Sequence, residues 1–216
     1  MGIYNKENLL INLDSILPSG FSMNAEGIFI KQENGKMSEM TFAIDEYFPH
    51  EVNFFNLLLA VSFTEVEQIL HEVLASHPNT GYPHEMSEAF TFDKSFANVL
   101  PAADYEKFRT HEVNSDTSFD VVKPYLNQMK GAALDFLNQH VTLLDFYNYA
   151  ETLPINEMAN FYRQPLTARR MIIKKLVNAP DYTTYANNLI NHYSTVQPDV
   201  TKSVFLQALK TYLDAL

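Results

Sequence analysis

Three of the four His-Glu dipeptides are the residues best suited to chemistry: His50-Glu51, His71-Glu72 and His84-Glu85, with His77 between the last two. Imidazole and carboxylate are the ligand types that hold zinc or iron. A helical zinc motif needs a second His four residues after the first, and the residue four after His71 is Ala75. Glu67 and His71 do have that spacing, and His77 and His84 lie in a stretch read as loop that could swing towards them. A metal-dependent hydrolase would therefore use Glu67, His71, His77 and His84. The plainer reading is ordinary polar residues beside an acidic surface.

Other catalytic signals are missing. The chain has no cysteine, which removes disulfides, thiolate metal sites and cysteine nucleophiles. No Gly-x-Ser-x-Gly elbow surrounds any serine, and neither a dinucleotide fingerprint nor a phosphate-cradling loop occurs among the six glycines. A hydrolytic carboxylate pair stays open, because spacing in space is not readable from sequence. The expectation is a protein without a cofactor, leaning away from an enzyme.

Charge is the stronger lead. The net charge is −11, and residues 1–100 hold four Lys and no Arg against three Asp and eleven Glu. Nearly all the acidity sits in that first half. Such a field repels nucleic acid and anionic membrane and attracts a basic protein partner, or it merely solubilises the surface. The one basic cluster, "RQPLTARRMIIKK", carries Arg163, Arg169, Arg170, Lys174 and Lys175, with no acid between Glu157 and Asp181. With Thr167 as cap, Ile172, Ile173, Leu176 and Val177 face a core, and Arg170 and Lys174 share an outer face. The cluster binds a phosphate or acidic segment, or it neutralises the protein's own acids. Candidate binding residues are thus Glu65, Glu67, Glu72, Glu85, Glu88, Arg170 and Lys174. Aromatics are plentiful, sixteen Phe and twelve Tyr. Most fall on apolar stripes, but Tyr182, Tyr185, Leu189 and Tyr193 trace a Tyr-rich helical face that is packed or exposed.

The elements that must carry these residues are readable. Asn5 to Leu17 has helical apolar spacing and is stopped by "LPSG". Two β-prone runs flank Asn34-Gly35, the dipeptide a tight hairpin turn favours. Met40, Phe42 and Ile44 alternate with polar neighbours, as on a strand with one buried face. "VNFFNLLLAVSF", residues 52–63, is apolar on both sides of the alternation. That predicts a central strand over 52–61 covered on both faces, too short for a membrane helix. A helix follows, capped by Ser62 with Glu65 or by Thr64 with Glu67, with Val66, Ile69, Leu70, Val73 and Leu74 inside. Residues 77–118 are irregular apart from a short helix near 102–110. Beyond Asp120 a long helix runs along Val122, Leu126, Met129, Ala133, Phe136, Leu137 and His140. A second is capped by Thr142 and Asp145, and further helices cover about 156–163, 167–178, 181–194 and 199–215. The fold class is α+β, a small antiparallel sheet of three or more strands with packed helices, then a mostly helical C-terminal part. Its two parts, 1–118 and 119–216, are expected to pack as one compact unit.

The order from Leu9 to Leu70 — helix, Gly20-Phe21 step, hairpin, strand with Asp45, then "FFNLLLAVSF" — resembles uncharacterised bacterial families of the DUF4304 type. The resemblance implies an α+β fold and carries no catalytic residues. It implies a bacterial protein, and small acidic α+β proteins of this sort include immunity and other partner-binding proteins. With no secretory signal pattern and no long apolar run, the expected location is the cytoplasm. The oligomeric state is not legible.

Overall fold

The computed structural model describes residues 5–47, 51–77 and 90–216. Its elements run α1 (Lys6–Asp14), β1 (Ser22–Met23), β2 (Phe29–Glu33), β3 (Lys36–Tyr47), β4 (Glu51–Phe63), α2 (Thr64–Ser76), β5 (Phe92–Ser95), α3 (Ala102–Arg109) and β6 (Glu112–Val113). Then come α4 (Asp116–Gln139), α5 (Leu143–Thr152), α6 (Ile155–Phe161), α7 (Leu166–Leu176), α8 (Tyr182–Asn191) and α9 (Val200–Asp214). The class is α+β, with a mostly helical C-terminal part, as the sequence predicts. Among the described residues no helix is long and apolar enough to cross a membrane. The chain forms two units, residues 1–61 with 94–139 and residues 62–93 with 140–216. These interleave along the chain, whereas the sequence reading took two successive stretches.

In the first unit the sheet begins with the predicted hairpin. Asn34 and Gly35 both have positive φ, 49° and 73°, and Glu33 pairs with Lys36 across the turn. The strands follow the order β1-β2-β3-β4-β5, with β6 added antiparallel at the start of β4 through Val52–Val113 and Asn53–Glu112. The buried face of β3 runs through Ser38, Met40 and Phe42. Phe29, Phe42 and Phe54 meet edge-on in sequence, and Phe54 goes on to Phe108 of α3 and Phe119 of α4. Each such fully buried ring contributes about 1.5–3 kcal/mol. Helix α4 buries Phe119, Val122, Leu126, Met129, Ala133, Phe136 and Leu137, and it starts earlier than expected, so Pro124 lies inside it. Pro124 and Asp120, four residues before it, are exposed, so the bond that the ring forfeits is lost where water replaces it.

β4 corrects the sequence reading. Val52 and Phe54 are buried, but so are Leu57, Leu59 and Val61, so the alternation changes phase at Phe55-Asn56. An extra residue of the kind found in a β-bulge has this effect. Leu58 is 42% exposed. The strand is central in the sheet, but its second face is only partly covered.

The turn before β2 places a specific demand on glycine. The Asn24 side chain accepts from the backbone N–H of Glu26 and Ile28, and Gly27 takes φ +83°. A Cβ on Gly27 would stand 3.0 Å from Leu13 Cδ1 and 3.2 Å from Leu10 Cδ2 of α1. Gly131, inside α4, would meet nothing within 4 Å. Gly27→Ala should cost about 1–2 kcal/mol, and Gly131→Ala should add about 0.5–1 kcal/mol. Urea-unfolding midpoints of the two variants check the opposite signs.

Candidate functional site

The second unit holds the described candidate residues, and its centre is an ion pair. Arg169 is 1% exposed and Glu67 is 5% exposed. The guanidinium grips the carboxylate with two bonds, Nε to Oε1 at 3.0 Å and a terminal nitrogen to Oε2 at 2.7 Å. Its other terminal nitrogen donates to the Gln164 carbonyl. The Thr91 hydroxyl donates to Glu67 Oε1 at 2.8 Å and accepts from the Phe63 N–H at 3.0 Å. Phe63 is the N-cap residue of α2, and no side chain caps that helix directly. The expected caps, Ser62 with Glu65 and Thr64 with Glu67, do not form. Glu67 instead reaches the cap N–H through Thr91, because its own oxygens are committed to Arg169.

The remaining basic residues of α7 are also held within the unit. Arg170 bonds both oxygens of Glu151 on α5, at 2.8 and 2.9 Å, and lies over the Tyr185 ring. Lys174 is a correction: expected on an outer face, it is 1% exposed. Its ammonium donates to both Asp181 oxygens, at 2.9 and 2.8 Å, and to the Tyr147 hydroxyl at 3.0 Å. Burial works to lower the Lys174 pKa, but the bonds to Asp181 and Tyr147 outweigh it and hold the amine charged above its ordinary value. The hydrogen bond from Lys174 in turn depresses the Asp181 carboxyl. Thr167 lies inside α7 rather than at its cap, because the helix starts directly after Pro165. A lysine held charged is a poor nucleophile, so this cluster is built for cohesion rather than for covalent chemistry. Tyr182 is buried, and Tyr185, Leu189 and Tyr193 are half-buried, so the Tyr-rich face is mostly packed. Burial pushes the Tyr185 phenol up to about 12 and raises Tyr162, whose buried hydroxyl has no partner among the described residues.

No family model, curated protein or solved structure matches the chain. Its residues alone therefore carry the functional argument.

A second feature lies between the last turns of α2 and α9. A cleft of about 420 Å³ is walled by Val73, Ala75 and Ala208, with Glu72, His77 and Tyr212 at its polar side. The Tyr212 hydroxyl donates a hydrogen bond to Glu72 Oε2. His77 Nδ1 lies 3.3 Å from the Val73 carbonyl. Of the predicted site residues, Glu72 and His77 meet here, while Glu65 and His71 are exposed elsewhere on α2 and Glu67 is buried on its other side. Among the described residues, no three His, Asp or Glu converge as a metal ion requires. His84, Glu85 and Glu88, together with His50, lie outside the described residues.

Sequence reasoning missed Arg169, Thr91 and Tyr212. Arg169 was detectable: it lies three and four residues before Ile172 and Ile173, on the apolar side of α7. Glu67, beside Val66 and three before Leu70, sits likewise on the stripe of α2. Opposite charges on two apolar stripes are a signal of a buried pair. Thr91, in an irregular stretch, and Tyr212, one aromatic among many, left no such signal.

Two outcomes follow. Arg169→Met strands the Glu67 carboxylate and should cost about 3–5 kcal/mol, while Glu67→Leu combined with Arg169→Met should recover most of the loss. Denaturant unfolding of the four proteins in the cycle measures it. Because the Tyr185 pKa is raised, its neutral form is favoured by folding. Its contribution is complete below pH 10.0 and is lost as pH rises towards about 12. Tyr185→Phe should flatten part of the alkaline fall in stability, and a tyrosinate absorbance titration should lose one late step.

Proposed function

We propose that the chain is a cytoplasmic bacterial protein of the immunity-like or regulatory kind, non-enzymatic, whose acidic surface meets a basic protein partner. One observation carries this reading. The three cations at the centre of the basic cluster are spent within the second unit, Arg169 on Glu67, Arg170 on Glu151 and Lys174 on Asp181, so they do not offset the exposed acids of α2. Glu65 and Glu72 on α2 are exposed, and Glu65 has no ion pair among the described residues. These two carboxylates face outward on a chain of net charge −11. An array of this sign accelerates encounter with a basic surface and repels nucleic acid.

The experiment is retention from a lysate of the source cell by the immobilised protein across a salt series, followed by reconstitution with the purified partner. The expected result is a basic protein that binds at low salt and is released once the screening length falls below about 8 Å. Glu65→Lys combined with Glu72→Lys should weaken the reconstituted complex. Retention that ignores salt, or no retained basic protein at all, overturns the reading.

A further inference from the structure

We propose that the cleft between α2 and α9 receives an arginine side chain of the protein partner, with Glu72 as the acceptor for its guanidinium. This deepens the partner-binding reading above and rests on it.

Several features of the cleft agree in sign and shape. The Glu72 carboxylate is exposed, but the Tyr212 hydroxyl pins one of its oxygens. A pinned acceptor gives up less side-chain freedom on binding than a loose one. Its other oxygen, Oε1, has no hydrogen bond among the described residues. The cleft lies against the C-terminal end of α2, where the last turn carries no basic residue. The carbonyls of that last turn, partly taken up by the backbone N–H and ring of His77, carry the partial negative charge of a helix C-terminus, which has the same sign as Glu72. Neither Lys nor Arg lines the cleft. Val73, Ala75 and Ala208 line the same cleft and offer apolar surface suited to the methylene stem of a long cationic side chain. The volume of about 420 Å³ lies within the range of small-ligand pockets.

Arginine fits this set better than lysine. Its planar fork engages a carboxylate with two donors, and its flat, weakly hydrated face stacks on an aromatic ring, which Tyr212 supplies beside the acceptor. Along α9, Val204 lies four residues before Ala208 and is 56% exposed. It shares the helix face of Ala208 and adds exposed apolar surface next to the cleft.

The test uses acetyl-arginine amide as probe and acetyl-citrulline amide as its uncharged isostere, followed by nuclear magnetic resonance of the full chain. The arginine probe should move the signals of Val73, Ala75, Ala208 and Tyr212, and the citrulline probe should not. Glu72→Gln keeps an acceptor for the Tyr212 hydroxyl but removes the charge, and it should weaken binding about tenfold, the worth of one charged hydrogen bond. Tyr212→Phe should also weaken it, and Glu65→Gln should leave it unchanged. Equal response to the two probes, or an undiminished response in Glu72→Gln with the fold intact, overturns the inference. If Glu72→Gln and wild type release the basic partner at the same salt, the cleft assignment falls while the partner reading stands. If wild type retains no basic protein, the partner reading falls and the partner's arginine with it, even where the cleft still takes the probe.

Discussion

The second unit is organised around one costly interaction, the burial of Glu67 against Arg169. Each charge loses several kcal/mol of hydration on leaving water, and the attraction between them repays this only when geometry is good and the remaining bonds are satisfied. Both conditions are met. The guanidinium makes two bonds to the carboxylate and a third to the Gln164 carbonyl, and Thr91 supplies a further donor to the carboxylate. Such a pair adds little net stability over a well-packed apolar one, but it tolerates very few alternative arrangements. A sliding or rotation of α2 against α7 would strand a charge, so the pair selects one packing of these helices. Through Thr91 the same carboxylate also serves the N-cap of α2, so cap and core share one network.

Two other cations of α7 follow a related rule: Arg170 and Lys174 are turned onto specific acids, Glu151 and Asp181. Lys174 shows the rule most clearly, because its ammonium sits among Asp181, the Tyr147 hydroxyl and the rings of Tyr147 and Tyr185. Each contact favours the charged amine, and together they exceed the cost of burying it. The outcome for the protein as a whole is an asymmetry that composition alone only hints at. Of the fifteen basic residues, Arg169, Arg170 and Lys174 have their charges committed within the second unit. The exposed carboxylates are left to set the sign of the surface.

What the sequence made legible was whatever a short stretch decides by itself. Asn34-Gly35 announces its turn because few other dipeptides accept two positive φ angles, and Thr142 with Asp145 announces a cap because both partners lie within one turn. The apolar stripes of α2, α4 and α9 were readable for the same reason. Where a distant residue competes, the local reading failed. Ser62 with Glu65 and Thr64 with Glu67 have the spacing of capping boxes, yet Arg169 lies a hundred and two positions from Glu67 and takes its carboxylate. The phase change in β4 was hidden because residues 54 to 61 are apolar at every position but Asn56, and one polar residue cannot fix the phase of an alternation. The candidate cleft was half legible. Glu72 and His77 stood out by type, but Tyr212, on the last turn of another helix, has meaning only once α9 is packed.

These two features of α2 are linked by helix geometry. Glu67 and Glu72 are five residues apart, which at 3.6 residues per turn separates them by about 140° around the helix axis. One therefore points into the unit while the other points away from Arg169, towards Tyr212 of α9. Because the buried pair selects the rotation of α2, it also selects the direction of Glu72. The carboxylate in the cleft thus owes its orientation to two restraints of different kinds: a deep ion pair that sets the helix, and a phenol that sets the side chain. A surface acid held in this way differs from its exposed neighbour Glu65, which lies on the same helix and carries the same charge. Charge alone would make the two equivalent as attractors of a basic partner. Preorganisation separates them: the Tyr212 hydroxyl holds Glu72, while Glu65 has no ion pair among the described residues.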